Sequence, residues 1–378
     1  MELTITKRDF LRGLARTHAV ADRKSSMPVL SNVLLASHAG DVLRLSATDM
    51  YLGVTTHVPA RIEKGGTLAL SARTLFDIVK ALPEGEIKLE TSDNGATLKA
   101  GKVKYKLPTA AADDFPPLPS AQDVPMHEVD IDLLHELIQL TAYSMSTDDT
   151  RPHLAGTLFE GDAKILRMVT TDGHRLSKAE RKTGDATGLY NFRMLLPHKG
   201  IGELKRLLED LRSSRGKGEE GPFTIHVGHQ AGNAFFRREG LLLSVKLADE
   251  QFPPYEKVIP QRHSRRAVAP RAALIEALRR IQLVASDKSG GVLLRIENGL
   301  MRVQSQSSEV GEGVEELDID YAGDPVSIGF NARYVLDVLS AIASDEVAFE
   351  LSGELDPGMI KPVGDGVDFV GVIMPMRI

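Results

Sequence analysis

The sequence contains neither cysteine nor tryptophan, and only 5% of its 378 residues are aromatic. Without cysteine there is no disulfide, no cysteine-ligated zinc, no iron–sulfur cluster and no thiol nucleophile. No apolar run approaches the ~18–20 residues that cross a membrane, and the charged start MELTITKRDF lacks the pattern of a signal peptide. These absences predict a cytoplasmic protein.

Charges of both signs are nearly balanced, with 46 Lys and Arg against 52 Asp and Glu and a net charge of −6. An acidic total argues against a uniformly basic protein that coats nucleic acid, but it leaves open where the positive charges lie. The apolar content of 42% is enough for ordinary buried cores, and the length corresponds to two or three domains.

A strand pattern recurs three times, at residues 43–49, 166–172 and 301–307. Each copy alternates apolar and polar side chains, as half-buried strands do, and each follows another apolar strand. An amphipathic helix precedes every strand pair, a second helix follows it, and further strands come behind. The pattern predicts three tandem α+β domains at 1–121, 127–255 and 256–378. A single α+β fold with accidental similarity between its parts is the alternative.

Two of the three copies end in a similar proline-rich segment. The first proline segment is Phe115-Pro116-Pro117-Leu118-Pro119, and the second is Phe252-Pro253-Pro254-Tyr255. Proline cannot donate to a strand ladder and stiffens the backbone, so both segments are predicted to link domains.

Catalytic and metal-binding motifs are weak. Gly216, Gly218 and Gly221 match the spacing of a dinucleotide-binding loop, but they follow a helix instead of a strand, which favours a flexible polar loop. His226 and His229 lie three apart in a predicted strand, so they point to opposite faces and do not form a metal site. The residues predict no catalytic group and no metal.

The turn at residues 171–175 is the segment most similar to a site. Asp172 and His174 are residue types of an acid–base pair, but no serine or cysteine nucleophile has an evident partner beside them. A strand-end turn built on Asp and Gly is the structural interpretation, and it would present His174 and Arg175 at a surface groove. A cytosolic α+β enzyme that uses this turn is the rival hypothesis.

Basic residues recur on helix faces opposite the apolar stripes. The sets, each at a spacing of four or seven residues, are Arg8 with Arg12 and Arg16, Arg73 with Lys80, and Lys199 with Arg206. These spacings place each set on one face, which is predicted to point away from the core. One such face is an ordinary solvated surface, but the repetition favours a common surface for a polyanion.

The C-terminal stretch, residues 370–378, is apolar to its last residue. A final strand docked in a sheet is the structural interpretation. The functional one is the wall of an apolar groove, where flexible Met side chains suit several partners.

With the threefold repeat, the Thr-Asp-Gly-His-Arg-Leu turn at 171–176 and the tail Met374-Pro375-Met376-Arg377, the whole chain resembles the bacterial sliding clamps, the beta subunits of DNA polymerase III. Residues 27–32, 71–78 and 330–339 add to the resemblance, and the tail with the Phe-Asn-x-x-Tyr-Val-Leu-Asp stretch is its most specific part. The resemblance implies three tandem DNA-clamp domains of α+β fold. It implies a head-to-tail dimeric ring with helices lining the inside and antiparallel sheets outside.

The implied function is a processivity factor that encircles duplex DNA without sequence readout and tethers the replicative polymerase. It implies no catalysis and no cofactor or metal. The implied partners are a second copy, double-stranded DNA, the DNA polymerase III catalytic subunit, a clamp loader, and translesion polymerases, mismatch-repair proteins and ligase that carry clamp-binding motifs. The implied location is the cytoplasm, at the nucleoid and replisome.

The resemblance also assigns residues to three surfaces. A groove for partner peptides with apolar and Gln anchors comprises Leu154, Thr171, Gly173, His174, Arg175, Leu176, Pro253, Lys257, Val258, Asn331, Tyr334, Val372, Met374, Pro375, Met376 and Arg377. Its DNA-facing positions are Arg23, Lys24, Arg73, Lys80, Arg151, His153, Lys199 and Arg206. Its dimer seam joins Tyr105 and Leu107 to Leu283 and Val284.

The chain departs from the family pattern at two places. Pro152 and His153 stand where relatives often carry an aromatic residue, and Ser289-Gly290-Gly291 stands where relatives can present a bulkier aromatic. Base stacking at the first place and partner affinity at the second are expected to differ.

Overall fold

A computed structural model describes residues 1–22, 24–92, 95–148, 150–183, 190–216, 221–285, 290–364 and 368–378. Arg23, Gly218 and Ser289, which the sequence singles out, lie outside these described residues. The chain divides into two compact units, unit 1 with residues 1–131 and 202–247, and unit 2 with residues 132–201 and 248–378.

Within the described residues, one order of elements occurs three times: a strand, a helix, four strands, a second helix and three strands. The first copy, which has one additional short strand (β5), comprises β1 Glu2–Thr6, α1 Lys7–Thr17, β2 Asn32–His38, β3 Val42–Thr48, β4 Leu52–Pro59, β5 Arg61–Lys64, β6 Thr67–Ser71, α2 Ala72–Ala81, β7 Glu86–Ser92, β8 Gly95–Ala100 and β9 Val103–Leu107. The second comprises β10 His127–Asp130, α3 Ile131–Thr141, β11 Gly156–Ala163, β12 Ile165–Thr171, β13 Arg175–Lys182, β14 Tyr190–Pro197, α4 His198–Ser214, β15 Thr224–Gln230, β16 Asn233–Arg238 and β17 Leu241–Lys246. The third comprises β18 Arg265–Pro270, α5 Arg271–Ile281, β19 Gly291–Glu297, β20 Leu300–Ser307, β21 Gly311–Asp318, β22 Val326–Asn331, α6 Ala332–Ala341, β23 Glu346–Leu351, β24 Gly358–Pro362 and β25 Asp368–Ile373. The predicted repeat of helices and strands is confirmed.

The helices begin and pack as their sequences predict. The hydroxyl of Thr6 accepts a hydrogen bond from the Asp9 backbone N–H at the start of α1, and the hydroxyl of Ser71 accepts one from Thr74 at the start of α2. The apolar stripe of α1 is fully buried at Phe10 and Leu14, and the stripes of α3 and α5 are buried as well. Each helix therefore covers a sheet with one face.

Antiparallel sheets form both units. Unit 1 contains a five-stranded sheet in the order β5-β1-β7-β8-β9 and an eight-stranded sheet in the order β10-β15-β16-β17-β4-β3-β2-β6. Unit 2 contains an eight-stranded sheet in the order β14-β11-β12-β13-β25-β24-β23-β18 and a four-stranded sheet in the order β21-β20-β19-β22.

Each eight-stranded sheet joins strands of two successive copies. In unit 1, β17 of the second copy pairs with β4 of the first, and in unit 2, β13 of the second copy pairs with β25 of the third. By their order in the copies, β4, β13 and β21 are equivalent strands, and so are β9, β17 and β25. Both joins therefore use the same two strand types, and β9 and β21 remain as the outer strands of their described sheets.

These joined sheets explain why the compact units do not coincide with the copies. The proline segments run beside the joins and are anchored there, because Phe115 and Phe252 are buried. The sequence predicted these segments only as links between domains. Among the described residues, no helix is long and apolar enough to cross a membrane, and no cluster of three or more His, Cys, Asp or Glu is placed to hold a metal ion.

Candidate functional site

A surface cavity of about 490 Å³ lies in unit 2 beside the turn that the sequence singles out. It is bounded by the short 3-10 turns after α3, the turn between β12 and β13, and the first turns of α6. The residues that line it are Ala142, Tyr143, Met145, Ser146, Thr147, Asp148, Arg151, Asp172, His174, Arg175, His198, Arg333, Tyr334 and Asp337. We call this site the Arg175 groove.

The turn between β12 and β13 is held by its own polar side chains. One carboxylate oxygen of Asp172 accepts hydrogen bonds from the backbone N–H groups of His174 at 2.9 Å and Arg175 at 3.0 Å. The Thr171 hydroxyl donates to the Arg175 carbonyl at 2.6 Å. Gly173 has φ +91, a left-handed conformation that favours glycine. The Asp172 carboxylate therefore fixes the backbone of the turn.

Each of the three nitrogen atoms of the Arg175 guanidinium makes one hydrogen bond within the protein. Its Nη1 lies 2.6 Å from Asp337 Oδ2 on α6, its Nε 3.0 Å from Asp172 Oδ2, and its Nη2 donates to the Tyr143 carbonyl at 2.7 Å. The guanidinium carbon also lies 4.4 Å from the centre of the Tyr334 ring. These contacts hold a planar cation at the boundary of two elements, β13 and α6.

The C-terminal stretch lies next to the turn that borders the groove. Strand β25 pairs with β13, where the buried residues Leu176 and Val372 lie opposite each other. Beyond the strand, the Met374 N–H donates to the His174 carbonyl at 2.9 Å, and its side chain is 41% exposed. The tail is thus a docked strand up to its last paired residue and an exposed apolar edge after it.

The last residues of the chain are hydrogen-bonded to strand β22. The Met376 N–H donates to the Gly329 carbonyl at 2.8 Å. A Cβ atom on Gly329 would lie 2.5 Å from the Met376 carbonyl oxygen, so the close approach requires glycine. Pro375 and Met376 are half-buried, whereas Arg377 is exposed.

An apolar floor of buried side chains lies beside this stretch. The second proline segment buries Phe252 and Tyr255 against a cluster that includes Leu176 and Val372. Pro253 is half-buried, and the following Lys257 and Val258 are exposed. Exposed Val258 and Met374 border buried apolar side chains, which provides a surface on which a peptide's apolar residues can be buried.

The start of helix α6 contributes two further predicted groove residues, Asn331 and Tyr334. The Asn331 side chain caps the helix by accepting hydrogen bonds from the backbone N–H groups of Arg333 and Tyr334. The Ala332 N–H donates to the Gly290 carbonyl at 2.9 Å, which fixes the approach to the cap. Burial raises the pKa of Tyr334, and the carboxylates of Asp172 and Asp337 contribute to the rise.

The loop before β11 lies at the same cavity. Leu154 is buried, and the Arg151 side chain pairs with Asp148 at 2.9 Å and donates to the Asp172 carbonyl at 3.0 Å. His153 is half-buried on a short 3-10 turn. Arg151 thus lines the Arg175 groove, a position that the sequence did not predict, while its contact with DNA stays a prediction.

One basic position on α1 was predicted wrongly. Arg16 was expected on the outer face, but it is 8% exposed and its Nε lies 2.8 Å from Asp210 Oδ2 on α4. Because the two helices pack together in unit 1, α1 has a second covered side that its own periodicity does not reveal.

Arg206 on α4 is held between these same helices. Its Nη1 donates to the Ala15 carbonyl and its Nη2 to the Arg16 carbonyl, both at 2.8 Å, at the end of α1. It also pairs with Glu203 at 2.5 Å. Arg206 therefore neutralises the carbonyl end of α1 and a buried carboxylate. The sequence did not predict this structural role, and contact of Arg206 with DNA stays a prediction.

The other predicted DNA-facing cations are exposed in the part of the chain that the structure describes. Lys24, Arg73, Lys80 and Lys199 all lie at the surface. Arg73 pairs with Asp77 at 2.8 Å, and the Lys80 ammonium lies 5.9 Å from the Phe76 ring. Arg23 lies outside the described residues.

The predicted seam residues lie at or beside the two outer strands. Tyr105 is 36% exposed, and Leu107 is partly exposed, on β9. Leu283 is 75% exposed, and Val284 is packed 2.8 Å from where a Cβ of Gly313 on β21 would lie.

Sequence reasoning missed two groups that hold Arg175. Asp337 lies three residues after Tyr334 and therefore on the same face of α6, which is a signal that could have identified it. Tyr143 contributes only its backbone carbonyl and its ring, and nothing in its sequence context indicates either role.

Comparisons with known proteins agree with this architecture. Family models of the DNA polymerase III beta subunit match residues 1–119 (N-terminal domain), 128–254 (central domain) and 256–377 (C-terminal domain). The beta sliding clamp of Caulobacter vibrioides is 34% identical over 387 residues, and that of Escherichia coli K12 is 30% identical over 380 residues, each with 100% of both chains covered. A crystal structure of the Pseudomonas aeruginosa DnaN sliding clamp bound to griselimycin aligns with a TM-score of 0.90 at 31% identity, again over 100% of both chains.

The three repeated copies and their antiparallel sheets define a DNA clamp. The chain belongs to the DNA polymerase III beta subunit family, the beta sliding clamps. It is therefore a processivity subunit of a DNA polymerase and not a catalytic enzyme, so the enzyme hypothesis for the Asp172 turn is wrong.

Proposed function

We propose that the Arg175 groove captures short linear motifs of replication and repair proteins. The observation that carries this proposal is the fixed Arg175 guanidinium beside exposed Met374 and a buried apolar floor. Such a site would bury apolar side chains of a flexible peptide, while the guanidinium and the free edges of the backbone orient it. The predicted groove residues all belong to unit 2, which agrees with one continuous site.

The similar solved structures support a ligand-binding groove but do not identify its partners. The Pseudomonas aeruginosa relative binds griselimycin, so a clamp of this fold takes a ligand. We infer that the DNA polymerase III catalytic subunit, the clamp loader, translesion polymerases, mismatch-repair proteins and ligase compete for the groove. Gly290 and the absence of a bulky aromatic there are expected to change the affinity of these motifs.

A second copy of the chain is the proposed partner of the two outer strands. Strands of the β4 type pair with strands of the β17 type at both joins, and β21 with β9 is the remaining pair of the same types. Lys104 and Lys106 on β9 and Glu312 on β21 give these strands opposite charge. Pairing between copies would also cover Tyr105 and Leu283. This pairing supports a head-to-tail ring of two chains, each with domains near 1–121, 127–255 and 256–378.

Duplex DNA is the proposed occupant of such a ring, with helices inside and sheets outside. Exposed cations on long side chains would attract phosphates without reading bases. They are Lys24, Arg73, Lys80 and Lys199. Arg23, which lies outside the described residues, is proposed to join them. Topological closure would then retain the DNA, so that strong contacts are unnecessary. The ring would work in the cytoplasm at the nucleoid, and it would raise the concentration of a bound polymerase near DNA.

Retention on DNA tests this function directly. The intact protein would be loaded by its clamp loader onto nicked circular DNA and onto the same DNA after linearisation. Retention on the circle with rapid loss from the linear molecule is expected, since only free ends release an enclosing ring. Equal retention on both would contradict enclosure. Changing Arg23 and Lys24 to Gln should weaken loading and its salt dependence.

A further inference from the structure

A second cavity, of about 650 Å³, lies in unit 1 where β17 joins β4, beneath the first proline segment. A row of directly paired residues crosses the sheet under it, and directly paired residues point to the same face. In strand order the row is His226, Arg237, Leu242, Thr55, Ser46 and Leu34. We call this site the Arg44 cavity, after a cation next to the row.

The Arg44 cavity carries an excess of positive charge. Arg44 and His57 are direct cross-strand neighbours beside the row, and Arg237 and His226 form the next such pair along the sheet. Glu239 is the only acidic side chain among the described residues that line the cavity. Within the described part of the chain, neither Arg44 nor Arg237 has a carboxylate partner.

The internal repeat shows what is unusual about Arg44. The equivalent arginine of the second copy, Arg167, forms ion pairs with Glu160 at 3.4 Å and Glu180 at 2.7 Å, its cross-strand neighbours on both sides. The pair with Glu180 raises the pKa of Arg167 above its ordinary value despite partial burial. In the second copy, the arginine at this position is therefore neutralised.

In the third copy the equivalent arginine is also neutralised by two carboxylates, although only Glu316 is a direct cross-strand neighbour of Arg302. Arg302 pairs with Glu316 at 2.7 Å and with Glu297 at 3.2 Å. In the first copy, the cross-strand neighbours of Arg44 are Ala36 and His57, so both carboxylates are replaced. Arg44 alone of these three equivalent arginines faces a cavity with its charge uncompensated.

The proline segments differ at the matching place. In the second segment, the Tyr255 hydroxyl donates to Glu160 at 3.1 Å and closes the surface over the ion pairs. The first segment has Leu118 at this position, and its Cδ2 lies 2.4 Å from where a Cβ of Gly53 would stand. The segment is thus anchored by an apolar side chain, and the charged surface beside it stays open.

We propose that the Arg44 cavity binds an acidic peptide segment of a partner protein, a second docking site independent of the Arg175 groove. Arg44 and Arg237 lie on strands three spacings apart, which places them about 15 Å from each other. An extended peptide covers that distance in about four residues, so its acidic side chains would stand at i and i+4. Leucine-type side chains between them would pack on Leu118 and Leu242.

The chemistry of the lining favours peptide over nucleic acid. A guanidinium receives a carboxylate in a bidentate pair, and the leucine side chains provide apolar burial between the two cations. The phenyl ring of the lining, Phe115, is buried, so His226 is the exposed aromatic ring on which a base could stack, and no second exposed ring among the described lining residues continues a stack.

The test measures fluorescence anisotropy of a labelled peptide, Glu-Leu-Ser-Leu-Glu, with the intact protein, against Gln-Leu-Ser-Leu-Gln as the neutral control. The acidic peptide should bind, and Arg44→Met should weaken binding about tenfold, the effect of losing one charged hydrogen-bonded pair. His57→Glu should weaken it similarly, because it places a carboxylate opposite Arg44 as Glu180 stands opposite Arg167. His57→Gln, its matched control, should keep the affinity within about threefold.

A Met374→Asp variant separates the two sites, since it alters the Arg175 groove and should leave acidic-peptide binding unchanged. Thermal unfolding checks that each variant is folded. The proposal is overturned by any of four results: no binding of the acidic peptide, equal binding of the neutral one, loss of binding in Met374→Asp, or tighter binding of a thymidine hexanucleotide than of the peptide.

Discussion

Arg175 and Asp337 are separated by 162 residues, yet their Nη1 and Oδ2 atoms lie 2.6 Å apart. The pair ties the start of β13 to α6 and sets the plane of the guanidinium that the Arg175 groove presents. Asp337→Asn keeps the shape of the side chain but removes its charge. We expect about tenfold weaker binding of a peptide with a Gln and apolar anchors, since a charged hydrogen bond contributes ~1.5–3 kcal/mol.

Asp345→Asn is the matched control for this prediction, because Asp345 is exposed beyond the end of α6. It should leave peptide affinity unchanged in the same titration. Unchanged affinity in Asp337→Asn as well would show that Arg175 is positioned by its other contacts.

The exposed residues beside the Arg175 groove predict that changes there affect peptide binding and not dimerisation. Met374→Asp places a charge where an apolar peptide side chain would be buried, and Pro375→Ala loosens the backbone that follows β25. Both changes are expected to weaken motif binding, the first by ~2 kcal/mol or more, while the dimer stays intact. Isothermal titration and sedimentation measure the two properties. Dissociation of the dimer with undiminished peptide affinity would contradict this assignment.

The outer strands β9 and β21 predict the opposite result, a weakened dimer. Leu283 is 75% exposed, so Leu283→Asp should not disturb folding. In the proposed seam, however, it buries a charge against an apolar surface and should shift the protein from twice its 41.1 kDa mass toward the monomer. Analytical ultracentrifugation measures this shift. Leu355→Asp, at another exposed leucine (64%), is the control and should remain dimeric.

The contacts of Arg206 predict that replacing it lowers the stability of the fold, and does not only remove a contact with DNA. Arg206→Gln removes the hydrogen bonds to the Ala15 and Arg16 carbonyls and leaves the buried Glu203 without this partner. We expect a loss of ~2 kcal/mol in the free energy of unfolding of this region. Lys24→Gln, at an exposed cation, should not change it. Denaturant titration distinguishes the two, and equal stability would show that Arg206 serves another role.

His18 predicts a pH dependence of stability. Burial lowers the pKa of His18, and the cations Arg206 and Arg73 lower it further, although its bond to the Leu14 carbonyl opposes them. The unfolded chain therefore binds a proton that the folded chain does not, so this contribution to stability falls as pH drops from ~6.5 toward the lowered pKa. The His18 ring also stacks flat on Phe76, with the two ring centres 3.9 Å apart.

The check is the fall in melting temperature between pH 7 and pH 5. It should be smaller in His18→Gln than in the unchanged protein. His198→Gln, at an exposed histidine, is the control. An identical slope in all three proteins would remove His18 as a source of acid sensitivity.

The periodic parts of the molecule could be predicted from the sequence, because apolar spacing directly reflects which face is buried. The stripe of Phe10 and Leu14 and the alternation of β3, β12 and β20 gave the repeated unit and the order of its elements. The resemblance, carried by the Asp172 turn and the Met374 tail, assigned residues to a peptide groove, and that assignment stays a prediction. All three copies and the sliding-clamp family are confirmed.

Contacts made by polar side chains over long sequence distances could not be predicted in this way. The periodicity of α1 predicts that Arg16 is exposed to solvent, but its ion pair with Asp210 places it in the interface between α1 and α4. Arg175 reads as a groove residue, yet its partner Asp337 lies in another copy. Such pairs depend on which elements meet, and the periodicity of a single element carries no information on that.

The joins between copies have a consequence for how the proposed ring opens. Two strand junctions, β4 with β17 and β13 with β25, lie within one polypeptide. If either junction separates, the connecting chain keeps its two strands at a high effective concentration, which favours their pairing again. A junction of β21 with β9 of another molecule has no covalent tether: when one opens, only the second such junction holds the two chains together, and this pair of junctions obeys mass action. Covalent connectivity alone would therefore determine where the ring opens. Dilution, or a protein that binds one side of the β21–β9 junction, would separate this junction, while the four junctions within the two chains stay closed.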